Sequence, residues 1–172
     1  MDDFWKTVLW QQFGAAIDML ENAMRACPDH LWSNTEEKPA WVSKGVVGFW
    51  YLVYHTLFWL DFYLSESEQG FVPPAPFTLD ELDPAGLLPE RPYTKDELQR
   101  YLDHGREKCR AAIEALTDER ARALRRLSSG EVNGAELLLY NLRHVQHHAA
   151  QLNLLLRQTI DSAPAWVART RS

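Results

Sequence analysis

Apolar residues in this chain return at steps of three and four through long stretches, and that period commits the chain to helices. Trp5, Leu9, Phe13, Ile17, Leu20 and Met24 form one stripe. A first helix is therefore expected from about Asp3 to Ala26, capped by Asp2 or Asp3 and stopped by Pro28. A loop containing Pro39 follows, with Trp32 and Trp41 as its expected anchors. A second helix is expected from about Lys44 to Ser65, with Ser43 able to cap it. Phe49, Trp50, Tyr51, Tyr54, Phe58, Trp59, Phe62 and Tyr63 cover most of its surface, the pattern of a helix buried all round. The run is too long for a strand and does not alternate.

Residues 66–93 hold Gly70, Pro73, Pro74, Pro76, Pro84, Gly86, Pro89 and Pro92, so no long element crosses them. A connection of this length serves either as a lid or partner surface or as a passive crossover, and the sequence leaves both open. Thr94-Lys95-Asp96-Glu97 reads as a capping box that opens a third helix, running to about Thr117. Leu98, Tyr101, Leu102, Cys109, Ile113 and Leu116 mark its buried stripe, and Gly105 on that stripe permits close helix contact. A short helical piece is expected from Asp118 to Leu127, ended by Ser128-Ser129-Gly130. The fourth helix is expected from near Asn133, with Glu136 as a second capping-box pattern, to about Ile160. Beyond Pro164 the tail is expected to be loosely held and pinned by Trp166. The fold class that follows is all-α: a four-helix bundle with long interhelical connections, one domain over residues 1–172.

Composition then excludes several functions. With 46% hydrophobic residues, a chain of 172 can build its core without disulfides. The net charge is −6 and no dense basic run exists, which argues against a nucleic-acid partner. Arg125 and Arg126 read as solvated residues near a helix C-terminus, where cations are favoured. Cys27 and Cys109 are far apart and read as ordinary buried thiols. The opening Met-Asp-Asp-Phe-Trp-Lys lacks the pattern of a secretory signal. The most apolar segment, Val46 to Leu64, carries Tyr51, Tyr54, His55 and Asp61 and suits a buried helix better than a membrane span. A cytoplasmic location with reduced thiols is expected, with no membrane partner.

The histidines carry the chemistry. Three of the six fall in His144-Val145-Gln146-His147-His148. His144 and His148 stand at i and i+4, so on a helix they share one face a turn apart and can converge on one ion. His147 points about 100° away from His148 and is the outsider. Two ligands rarely suffice, because open zinc-type sites use three protein ligands. His55, midway along the most buried segment, is the best third ligand, since an imidazole there needs a polar partner. His30, in a loop, and His104, off the buried stripe of its helix, are weaker.

Tyr54-His55-Thr56-Leu57-Phe58-Trp59-Leu60-Asp61 and His144-Val145-Gln146-His147-His148-Ala149-Ala150-Gln151-Leu152 resemble the DinB/YfiT-like superfamily of small helical metalloproteins. That family has one histidine in the second helix and an HxxxHH-type segment followed by Gln in the fourth. Many relatives have Gly just before the Gln where this chain has Ala150. The resemblance implies metal ligands at His55, His144 and His148. It does not single out a reaction, because relatives include thiol-dependent transferases and isomerases beside many proteins of no known activity.

Three neutral imidazoles leave a divalent ion its full charge, so it can activate water or a thiol. Zinc is the expected ion, with nickel, iron and manganese as alternatives. Asn141 and Gln151 lie at steps of three on the face of His144 and His148 and could orient water or substrate; Tyr51 and Trp59 flank His55 at four-residue steps as pocket walls or core. No acid is an obvious general base. The expectation is a metal-dependent transferase acting on a low-molecular-weight thiol, or a related hydrolase, with a homodimer supported by the bundle's aromatic edge. The alternative is a non-catalytic protein in which the ion clamps the second and fourth helices.

Overall fold

The computed structural model describes residues 2–34, 48–127 and 130–170. Along the chain run α1 (Asp3–Ala26), α2 (Asp29–Trp32), α3 (Phe49–Tyr63), a 3-10 turn (Asp80–Leu82), α4 (Lys95–Glu114), α5 (Asp118–Arg122), β1 (Leu124–Leu127), β2 (Gly130–Asn133) and α6 (Gly134–Ile160). The fold is mostly helical, with one two-stranded sheet among the described residues. The four long helices form a closed ring: α1 packs on α6 and α4, and α3 packs on the same two. Ile17 and Leu20, Leu57 and Phe58, Leu98 and Leu102, and Val145 and Leu152 fill its centre with essentially no exposure. Each such side chain contributes roughly 1.5–3 kcal/mol by leaving water.

Local rules set the helix ends. Asp2 caps α1 by accepting from Trp5 N at 3.0 Å. Thr94 and Glu97 complete a reciprocal capping box on α4. Asn133 caps α6 by accepting from Glu136 N at 2.9 Å. Gly105 sits where α4 crosses α3, and a Cβ there would lie 3.0 Å from Leu60 Cδ2. The expected start of the second helix, including Lys44 and Ser43, falls outside the described residues, as do Pro39 and Trp41. Trp32 is buried and donates from Nε1 to Tyr93 O at 2.8 Å.

Two expectations are corrected. Residues 118–127 are not one helical piece. The helix ends at Arg122, Ala123 turns extended, and Leu124–Leu127 pairs antiparallel with Gly130–Asn133. Arg125 therefore lies on a strand, where it donates to Ser65 O just past the end of α3, and Arg126 faces Glu131 across the sheet. The tail is also held differently from expectation. Trp166 is 68% exposed, whereas Thr170 is buried, its N–H bonded to Gln11 O at 3.0 Å and its side chain seated over Gly14.

The 66–93 connection is woven into the core. Phe71, Phe77 and Tyr93 are buried, and Phe77 stacks on Tyr54 and Tyr101. That clamp carries the 3-10 turn to the α3–α6 seam.

Candidate metal centre

Burial of Val145, Ala149 and Leu152 fixes which face of α6 meets the bundle, and His144 and His148 fall beside that face. Burial of Tyr54, Thr56, Leu57 and Phe58 likewise orients α3 and leaves His55 half-buried at the seam. The three rings meet there. Their centroids lie 5.4 Å (His55–His144), 4.9 Å (His55–His148) and 4.5 Å (His144–His148) apart. One ligand nitrogen from each lies within 4.8 Å of the others. His147 is exposed, and so is His30. His104 stands against Asp61 on the α4 side, 3.4 Å from its carboxylate.

Hydrogen bonds orient two of the rings. His55 Nδ1 lies 2.7 Å from Glu81 Oε2, and His148 Nδ1 lies 2.6 Å from Gln151 Oε1. Both partners accept, so both histidines donate from Nδ1 and turn Nε2 towards the cluster. His55 Nε2 is 3.4 Å from His144 Nε2. Two nitrogens bound tetrahedrally at ~2.0–2.1 Å to one zinc would stand about 3.3–3.4 Å apart. The donor set therefore fits a small divalent cation. His144 Nδ1 is buried without a hydrogen-bond partner among the described residues.

Burial, aided by the neighbouring histidines, pushes the His144 imidazole down to about 3. Burial and His55 push His148 down to about 4, against a small rise from Gln151. Both are therefore neutral, as ligands must be, across the ordinary pH range. Glu81 is the residue that sequence reasoning missed. Burial alone would raise its carboxyl, but bonds from His55, Tyr51 and Trp59 hold it below its ordinary value. Trp59 donates from Nε1 to Glu81 Oε2 at 2.9 Å. The Tyr51 hydroxyl is held protonated first by burial and then by its bond to Glu81. The two aromatics expected to flank His55 thus meet the same acid. Asn141 is fully buried and donates to Leu60 O at 3.0 Å, tying α6 to α3. Only the acidic run Asp80-Glu81 in a proline-broken segment could have hinted at the acid.

The sequence model of the DinB superfamily matches residues 12–152. The chain belongs to the DinB superfamily. No curated protein and no solved structure matches it. The span shared with the DinB superfamily contains His55, Glu81, His144, His148 and Gln151, so the whole cluster lies inside the family domain. DinB-superfamily membership and the three-histidine cluster together fit a protein that binds a divalent metal. Both cysteines are remote from this role: burial pushes the Cys27 thiol up to about 12 and raises Cys109 further. No helix among the described residues is long and apolar enough to cross a membrane.

Proposed function

We propose that the chain is a metal-dependent enzyme of the transferase type, acting with a low-molecular-weight thiol, with a metal-assisted hydrolase as its close variant. His55, His144 and His148 would hold one divalent ion, zinc first and nickel, iron or manganese as alternatives. The observation that carries the reading is an incomplete, partly open donor set: three converging imidazoles, with the His55 side chain 28% exposed. Catalytic sites of this kind use three protein ligands and leave a position free. Held there, the ion supplies Lewis acidity towards a thiol or water beside it.

The chain's own residues prepare that position. Gln151 holds the Nδ1 proton of His148, which leaves Nε2 for the ion. The Tyr51 and Trp59 rings pack 6.4 Å and 6.3 Å from the His55 ring, and Tyr63 packs 6.3 Å from that of His144. The non-catalytic clamp is the weaker reading, because Asn141 and a continuous apolar seam already join α3 to α6. We also read the chain as a cytoplasmic homodimer, with exposed Phe4 and Trp5 on α1 as candidate contacts. Light scattering checks the dimer.

Elemental analysis of protein purified without a polyhistidine tag tests the site, beside His55→Ala and His148→Ala. One equivalent of metal in the parent and none in the variants is expected; stoichiometric metal in both variants overturns it. Cobalt-loaded protein tests the chemistry. A change in its visible absorption on adding a small thiol supports an open, thiol-accepting position, and indifference to thiol favours the clamp.

A further inference from the structure

The 66–93 connection touches the histidine cluster through one carboxylate. The Glu81 side chain is 5% exposed, and a single oxygen takes bonds from both His55 Nδ1 and Trp59 Nε1. Its backbone is held from both sides. Leu82 N bonds to Leu79 O at 2.9 Å and Asp83 N to Asp80 O at 3.0 Å. Thr78 Oγ1 donates to Asp80 Oδ2 at 2.5 Å, and the Tyr54 hydroxyl donates to Thr78 O at 3.1 Å. Just before the turn, Phe77 stacks on Tyr101 with centroids 4.3 Å apart. The place of the carboxylate is therefore imposed by anchored backbone.

Among the described residues no Lys or Arg forms an ion pair with Glu81; the basic group it meets is the His55 imidazole, 2.7 Å away. The anchored carboxylate therefore reaches the three ligand nitrogens through that one ring.

We propose that Glu81 is the positioning residue of the metal centre, holding the His55 ring with its proton on Nδ1 and Nε2 turned to the ion, and offsetting the ion's charge through that ring. The inference rests on the metal reading above and deepens it, because it makes the 66–93 connection part of the site. Trp59 shares the oxygen and fixes the carboxylate's orientation. Coupling of this kind is reciprocal. An ion drawing on Nε2 strengthens the bond from Nδ1 to Glu81, so binding holds the turn, and displacing the turn weakens binding.

The test uses untagged, full-length, metal-stripped protein titrated with zinc against a chromophoric chelator. Wild type, Glu81→Gln, Glu81→Ala and His148→Ala are compared, with hydrogen exchange at amides 79–83 followed with and without zinc. Glu81→Ala is expected to bind ~10–100-fold more weakly, and Glu81→Gln, which keeps an acceptor but not the charge, about tenfold more weakly. Zinc is expected to slow exchange at 79–83 in wild type and not in Glu81→Ala. Melting of the zinc-free proteins identifies a folding defect, and if Glu81→Ala shows one, the isosteric Gln variant decides. Should wild type bind one zinc while the Glu81 variants bind within about twofold of it, this inference falls and the metal reading stands. Zinc uptake by wild type no better than by His148→Ala overturns the metal reading, and the role of Glu81 with it.

Discussion

Two histidine–carboxylate pairs flank α3, one towards α6 and one towards α4, and they are built differently. On the α4 side, Asp61 is buried to 1% exposure and surrounded by its own answers. Lys108 Nζ meets its carboxylate at 2.5 Å and also donates to Asp61 O and Ser65 Oγ. Tyr101 donates to the second oxygen at 3.1 Å, and His104 stands at the margin. On the α6 side, Glu81 faces the His55 imidazole with no Lys or Arg in ion-pairing reach among the described residues, and that imidazole meets two more. The α4 cluster is electrically closed within the fold. The α6 cluster instead gathers three ligand nitrogens around one point. Buried polarity alone does not mark a site; polarity left incomplete does.

The largest effect on stability is expected where the cluster is complete. Lys108→Met leaves Asp61 buried without its charge partner, and removing one member of such a pair costs about 3–5 kcal/mol. Urea denaturation checks this. Zinc uptake per folded molecule is expected to stay at the parent value, and loss of zinc binding without unfolding would show that the two clusters are coupled.

A pH titration separates them next. In the zinc-free protein His144 and His148 hold protons only near 3 and 4, against 6.5 when unfolded. Between about 4 and 6.5 the unfolded chain therefore binds more protons, and stability falls as pH is lowered through that window. The loss from pH 7 to 5 is expected on the order of 2 kcal/mol per histidine, about 4 kcal/mol for the two. His144→Ala is expected to remove about half of it. A stability equal at pH 7 and pH 5 would mean that the imidazoles charge freely in the fold.

What the sequence made legible follows from the range of the signals. The 3.6-residue period and the caps at Asp2, Thr94 and Asn133 are local, so the four long helices and the starts of α1, α4 and α6 could be read directly, whereas α3 begins only at Phe49, after Gly48 at φ 88°, and not near Lys44. The His144–His148 pair is local too, one turn on one helix. His55 required a burial argument across helices. Glu81 could not be reached in this way, because it enters the site by tertiary placement of a segment whose prolines erase any period. The hairpin failed for a related reason: Leu124-Arg125-Arg126-Leu127 fits a helical face as well as a strand, and the pairing with Gly130–Asn133 decides. The tail was misjudged because Trp166 is the larger residue, whereas the small Thr170 fits against Gly14, where a Cβ would stand 2.6 Å from Thr170 Cγ2.

A smaller change in stability, with a larger change in binding, is expected at the incomplete cluster. His148→Ala abolishes stoichiometric zinc in our reading, yet the zinc-free variant is expected to unfold within about 1 kcal/mol of the parent at pH 7, because its imidazole makes no bond that the core depends on. Its hydrogen-bond partner Gln151 is half-buried on the same helix and can turn to water. A zinc-free variant that fails to fold would instead make His148 a structural residue.

The smallest effect is expected at His104, and it bears most directly on the contrast. His104 and His55 each face a buried carboxylate, so contact with an acid cannot by itself distinguish them. His104 lies 3.4 Å from Asp61 with its side chain 44% exposed, and Lys108 has already met that charge. A half-exposed histidine beside an acid whose charge is already met contributes roughly 0–1 kcal/mol. His104→Gln is therefore expected to shift the urea midpoint by no more than that and to leave zinc affinity unchanged, whereas His55→Gln, with the same change of side chain, is expected to lose the ion. Equal consequences at the two positions would mean that a histidine beside a buried acid is interchangeable in this fold. Unequal ones would trace the difference to the two further imidazoles that only His55 faces.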